Sequence, residues 1–142
     1  MNFVKLATTA AVLASLGPVS AFAAETVSVQ LVGERGGQMA IKLDKTEVPA
    51  GEVTFQVANV AANTPHEMVV IKLDKPGETL KVDPAKNRVD EKSLRSMGEV
   101  SDLKAGQSGK LTVKLKPGSY ELICNIKGHV AAGMVAMFTV KG

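Results

Sequence analysis

The sequence predicts an all-β protein, a Greek-key β-barrel or sandwich, and three observations carry that prediction. From Glu25 onward apolar and polar residues alternate with period two, the spacing at which one face of a strand is buried and the other is wet. Turn signals bearing Pro and Gly interrupt the runs at Gly33–Gly37, Val48–Gly51, Lys75–Gly77 and Lys116–Ser119, the short regular intervals of an antiparallel domain. A chain of 142 residues, 45% of them apolar, is enough for one compact domain and not comfortably two.

The first 23 residues stand apart from this pattern. Lys5, an apolar stretch from Leu6 to Leu16, then Gly17-Pro18 and the small-residue sequence Ala21-Phe22-Ala23 follow one another in the order of a secretory signal peptide. The apolar stretch is well short of the roughly 18 residues that suggest a membrane span. Cleavage after Ala23 is expected to release residues 24–142 into the periplasm as a mature domain without a membrane span. Removing Lys5 leaves 16 Lys and Arg against 14 Asp and Glu, a charge of +2. That bias is mild and lacks the Arg-dense runs that track a phosphate backbone. With Phe55, Tyr120 and Phe138 as the only aromatics beyond the leader, a base-stacking platform is also missing, so nucleic acid is not an expected partner.

Each strand then follows from its own parity. Val27, Val29 and Leu31 alternate with Thr26, Ser28 and Gln30; Met39, Ile41 and Leu43 form the next run; Val53, Phe55 and Val57 alternate with Thr54 and Gln56. His66, after the turn-forming Asn63-Thr64-Pro65, begins the strand through Ile71. Leu111, Val113 and Leu115 oppose Lys110, Thr112, Lys114 and Lys116, and Tyr120, Leu122 and Cys124 oppose Glu121 and Ile123. A last strand runs from Met134 through Val140, with Met134, Ala136, Phe138 and Val140 on one face. Residues 83–105 depart from the scheme, being rich in charge and poor in β-branched residues. Within them Asp90 to Met97 followed by Gly98 reads as a short helix with an acidic start and a glycine stop, an excursion between strands.

The chemistry-bearing residues are few. In an oxidising compartment the single Cys124 forms no intramolecular disulfide, and an unpaired thiol there is either buried and inert or committed to a metal. Cys124, His129 and Met134 lie on one loop at Cys-x4-His-x4-Met. A soft thiolate, an imidazole and a thioether suit copper in both oxidation states, whereas zinc gains little from a thioether. The chain's one other histidine, His66, supplies the remaining donor from a distant strand end, the distribution of a trigonal His2Cys site with a weak axial Met. Each residue alone would be unremarked, as a surface histidine, a buried small hydrophobe or a core methionine. Together they account for every Cys and His in the sequence.

These segments resemble the cupredoxins, the small type 1 blue-copper proteins. Asn-Thr-Pro-His66 is similar to the segment carrying the family's first histidine ligand, and Pro117-Gly-Ser-Tyr120-Glu-Leu-Ile-Cys124 with the loop to Met134 resembles its carboxy-terminal ligand hairpin. The resemblance implies an eight-stranded Greek-key β-barrel with one copper near one end. It implies His66, Cys124 and His129 as equatorial ligands and Met134 as the axial one. The loop spacings are longer than in plastocyanin and nearer to auracyanin- and rusticyanin-like members, and Glu67 stands where many relatives carry Asn or Ser.

Four donors saturate one ion and leave no open position for substrate, and the sequence carries no nucleophile triad, carboxylate pair or phosphate cradle. An electron carrier is therefore expected rather than an enzyme. It would cycle between Cu(I) and Cu(II) as a monomer and meet transient redox partners such as a c-type cytochrome, an oxidase or a reductase. His66 is expected to be the buried ligand and His129 the exposed one, the electron port, inside an apolar rim of Ile126, Val130, Ala131 and Ala132. Asn125 is expected to tie the ligand loop to the backbone across from the His66 strand. The rival reading is a periplasmic copper-binding protein for storage, delivery or resistance, which would use exposed, exchangeable Met and His.

Overall fold

A computed structural model describes residues 24–142, so the expected leader lies outside the described residues. The strands are β1 (Glu25–Val32), β2 (Ala40–Leu43), β3 (Glu47–Pro49), β4 (Gly51–Asn59), β5 (His66–Lys72), β6 (Val82–Asp83), β7 (Arg88–Val89), β8 (Arg95–Leu103), β9 (Ser108–Leu115), β10 (Gly118–Ile123) and β11 (Val135–Lys141). Apart from the short β3, β6 and β7, eight strands have four residues or more, the number that the resemblance implies.

Two sheets pack face to face, one in the order β2-β1-β4-β9 and the other β3-β11-β10-β5-β8. Neither sheet closes on the other through hydrogen bonds, so of the two expected architectures the sandwich is the one formed. The period-two residues meet between the sheets. Val27, Val29, Leu31, Val53, Phe55 and Val57 from one sheet and Met68, Val70, Tyr120, Leu122, Cys124 and Phe138 from the other belong to one buried cluster. Phe55 and Phe138 cross the gap edge to face at 5.4 Å, a contact that adds about 0.5–1.5 kcal/mol beyond its buried area. The Tyr120 hydroxyl donates to the Lys116 carbonyl at 2.7 Å, closing the turn into β10.

Simple alternation fails on β5 and β10, which are buried on both faces. Behind them Val69, Ile71 and Ile123 form a second cluster with Val89, covered by Leu80, Val82, Leu94 and Val130. Residues 73–95 thus roof the outer face of the sheet. Burying each of these Val and Ile side chains contributes about 1.5–3 kcal/mol, which anchors the excursion.

The helix expected from Asp90 to Met97 is not formed. Its first turn exists as a 3-10 turn, Glu91–Ser93, capped by the Asp90 carboxylate, which accepts from the Lys92 N–H at 3.3 Å. From Arg95 the chain instead extends as β8 and pairs antiparallel with β5. A strand covered on both faces needs backbone partners along both edges, and β8 supplies the second edge of β5. It lies at the rim of the sheet, where most of its side chains meet solvent, so its composition stays polar. Gly98 sits within this strand at φ +142°, and a Cβ there would come within 2.9 Å of the Leu111 side chain.

Candidate metal centre

Cys124 follows β10 directly and keeps its parity, pointing inward with Tyr120 and Leu122. The chain then makes a compact loop that returns to β11. His129 N–H donates to the Ile126 carbonyl at 2.9 Å, Met134 N–H to the His129 carbonyl at 3.0 Å, and Cys124 N–H to the Met134 carbonyl at 3.1 Å. Gly133 makes the return possible, since at φ +105° a Cβ would lie 2.7 Å from the Met39 carbonyl oxygen. Met134 arrives fully buried in the cluster that holds Cys124, and Met137 is 44% exposed on the opposite face.

The first residue of β5 brings the other histidine to this loop. The Nδ1 atoms of His66 and His129 are 3.2 Å apart, and Cys124 Sγ lies 3.3 Å from His129 Nδ1 and 3.9 Å from His66 Nδ1. Three donors placed ~2.1 Å from one ion in a trigonal plane would be about 3.6 Å from each other, so the observed triangle has the size of a single-ion site. Its protonation is partly set in advance. His66 Nε2–H donates to the Gly33 carbonyl at 3.0 Å; a carbonyl only accepts, so Nε2 carries a proton and Nδ1 is the ring atom turned toward the triangle. Burial, opposed by the Glu67 N–H, pushes the Cys124 thiol up to about 11. Burial together with His66 and Arg35 pushes His129 down to about 4. Without metal the pair is a neutral thiol beside a neutral imidazole, and a cation that binds displaces the thiol proton. The Glu67 N–H already points at Sγ, 3.4 Å away.

Glu34 contributes without any signal in the sequence. Its carboxylate accepts from Ala62 N–H at 2.6 Å, Asn63 N–H at 3.3 Å and the Thr64 hydroxyl at 2.6 Å. Those donors belong to the turn that presents His66, and Gly33, beside Glu34, orients the imidazole. Three expectations change at this site. His129 is only 3% exposed; with Arg35 and Met39 of the β1–β2 connection, Asn87, Ile126, Lys127 and Ala132 it lines a groove of about 430 Å³. Val130 turns away from that groove into the second core. The Asn125 side chain bonds to β7: it accepts from Val89 N–H at 2.7 Å and donates to the Val89 carbonyl at 2.9 Å.

The two methionines separate an axial role from a surface one. Met134→Leu should leave copper bound and shift both the reduction potential and the visible spectrum, while Met137→Leu should change neither. Voltammetry and absorption of the two variants decide, and the reverse pattern removes Met134 from the site.

The model of the family of copper binding proteins, plastocyanin/azurin family, matches residues 27–141. Among solved structures, auracyanin A from Chloroflexus aurantiacus is 23% identical, with 84% of this chain and 100% of that chain covered at a TM-score of 0.59. The reduced auracyanin of Roseiflexus castenholzii is 22% identical over 82% of this chain and 97% of that one, TM-score 0.58. Rusticyanin from Thiobacillus ferrooxidans is 19% identical over 83% and 77%, TM-score 0.62. At such identities the likeness establishes the fold. No curated protein sequence matches the chain.

Proposed function

The chain belongs to the plastocyanin/azurin family of copper-binding proteins, and from that premise we propose that it is a type 1 copper protein carrying single electrons between redox partners. The observation that carries this reading is the buried triangle of His66, Cys124 and His129, whose donor atoms all lie within 4.8 Å of one another. His66 Nδ1, Cys124 Sγ and His129 Nδ1 would hold the copper, with Met134 as the weak axial donor. Bound copper supplies a one-electron couple between Cu(I) and Cu(II).

The chain's own residues supply the rest. Gly33 and Glu34 hold the His66 imidazole in place, the Glu67 N–H stabilises charge on the thiolate, and the surrounding core excludes water. Donors fixed by a strand end and a closed loop need little movement when the electron arrives or leaves, and this favours transfer over metal exchange. The His129 groove is the docking surface in this reading. Its apolar members, Met39, Ile126 and Ala132, make close contact with a partner, while Arg35 and Lys127 favour an acidic face. The leader expected from the sequence supports a periplasmic carrier that meets a c-type cytochrome, an oxidase or a reductase. Adding one equivalent of Cu(II) to the metal-free protein should produce an intense thiolate-to-copper band in the visible spectrum; uptake without that band removes the type 1 assignment.

A further inference from the structure

The hairpin of β6 and β7 contains two residue pairs, Val82 with Val89 and Asp83 with Arg88. A hairpin that short has little stability of its own. It is held by apolar contacts of Val82 and Val89 in the second core and by a row of hydrogen bonds to the loop after Cys124. The Arg88 guanidinium donates twice to the Asn125 carbonyl, from Nε at 3.1 Å and from Nη2 at 2.9 Å. The Asn125 side chain bonds both backbone groups of Val89 and donates to Glu91 Oε1 at 2.5 Å. Farther along the loop, the Gly128 N–H donates to the Asn87 carbonyl at 2.7 Å. Asn87 reaches that point through a left-handed backbone, φ +51°. Residues 87–91 therefore grip the ligand loop at both ends of its first half, next to Cys124 and next to His129.

We propose that the β6–β7 hairpin is a strap that positions the ligand loop, with Arg88 as its positioning residue. A carbonyl chelated by a planar guanidinium is restrained in direction as well as distance. The carbonyl concerned belongs to the residue after Cys124, so the fork sets how the chain leaves the thiolate and where Sγ points. Because the strap bonds are formed by the protein alone, the loop is held in the same place with or without metal. The excursion that interrupts the strand pattern thus acts on the site without touching it. The inference rests on the copper reading for its consequence, and the bonds themselves can be measured without copper.

Arg88 is exposed and outside both cores, so Arg88→Met and Arg88→Lys should both fold in the full chain. In metal-free Arg88→Met, amide hydrogen exchange at Val89 and Gly128 should quicken about tenfold, as expected for losing a charge-assisted hydrogen bond. In the copper-loaded variants the thiolate-to-copper band and the Cu(II) hyperfine splitting should shift from wild type. Arg88→Lys keeps the charge and loses the fork, so its shift should have the same direction as that of Arg88→Met. Wild-type spectra in both variants, even with lowered stability, would reduce the strap to ordinary structure and overturn the proposal. A shift confined to Arg88→Met would assign the effect to charge and also overturn it. Wild-type protein that takes up copper without an intense band would defeat the copper reading instead, while exchange at Val89 and Gly128 would still report whether the strap holds the loop.

Discussion

Cys124→Ser protein should fold as a β-sandwich, and adding Cu(II) to it should give no intense visible band. The fold survives because its core is built from both sheets and includes Cys124 only at one end. A serine hydroxyl in that position keeps a donor in the Glu67 N–H, so the substitution costs about 1–3 kcal/mol, the scale of placing a polar group in an apolar site. The larger loss appears once copper is present. Metal bound to the native state stabilises by mass action, and free copper at a thousandfold excess over Kd contributes about 4 kcal/mol. For a domain of this size that corresponds to a Tm difference of about 10–20 °C between holo and metal-free wild type, a gain that the variant lacks. Absorption spectra and melting curves of both proteins, with and without copper, separate the two costs. An intense band that survived in Cys124→Ser would show that the thiolate is not the source of the absorption and would break the ligand assignment at its strongest member.

Most strands are legible in the sequence because each is a local pattern. The faces read from Val27-Val29-Leu31, Val53-Phe55-Val57 and Tyr120-Leu122-Cys124 are the faces that pack together. The second core leaves a weaker trace, the unbroken run Met68-Val69-Val70-Ile71, in which alternation gives way to burial on both faces. Residues 90–97 defeat a local reading for a physical reason. Asp90 does cap a turn, but the open edge of β5, distant in sequence, decides the conformation of the chain beyond Leu94, and pairing with it outweighs local propensity. The site divides in the same way. Cys124, His66 and His129 stand out as the chain's only thiol and imidazoles, and Met134 stands out by strand parity. The groups that orient them are the Gly33 carbonyl, the Glu67 N–H and the Asn125 carbonyl, and every residue type carries a backbone that can do this. Arg35, Arg88 and Glu34 act through turns that only the folded chain brings near, so nothing in the local sequence distinguishes them from other surface charges.

Reduced, copper-loaded protein should give up its electron quickly and its metal slowly. The two processes make opposite demands on the same donors. Delivery requires ligands that can leave one at a time, and a departing histidine or thiolate needs room to swing away and water to replace it. Here His66, Cys124 and Met134 are fully buried and His129 nearly so. The His66 imidazole is pinned by the Gly33 carbonyl, and both the turn before it and the loop after Cys124 are tied down by further hydrogen bonds. Electron transfer needs none of that motion. It requires a short path from the metal to a partner, and in the proposed reading that path runs through His129, which lines a surface groove. Mixing the Cu(I) protein with an oxidised c-type cytochrome should therefore reduce the cytochrome rapidly. Mixing it with a high-affinity Cu(I) chelator should extract copper only over much longer times. Arg35 and Lys127 at the groove make the first reaction salt-sensitive toward an acidic partner, slowing as ionic strength rises and the Debye length falls below about 8 Å. Stopped-flow absorbance follows the cytochrome and the chelator in parallel. If the chelator takes the metal within seconds while the cytochrome stays oxidised, the buried, tethered ligands are not the barrier described here, and storage or delivery becomes the function of the site.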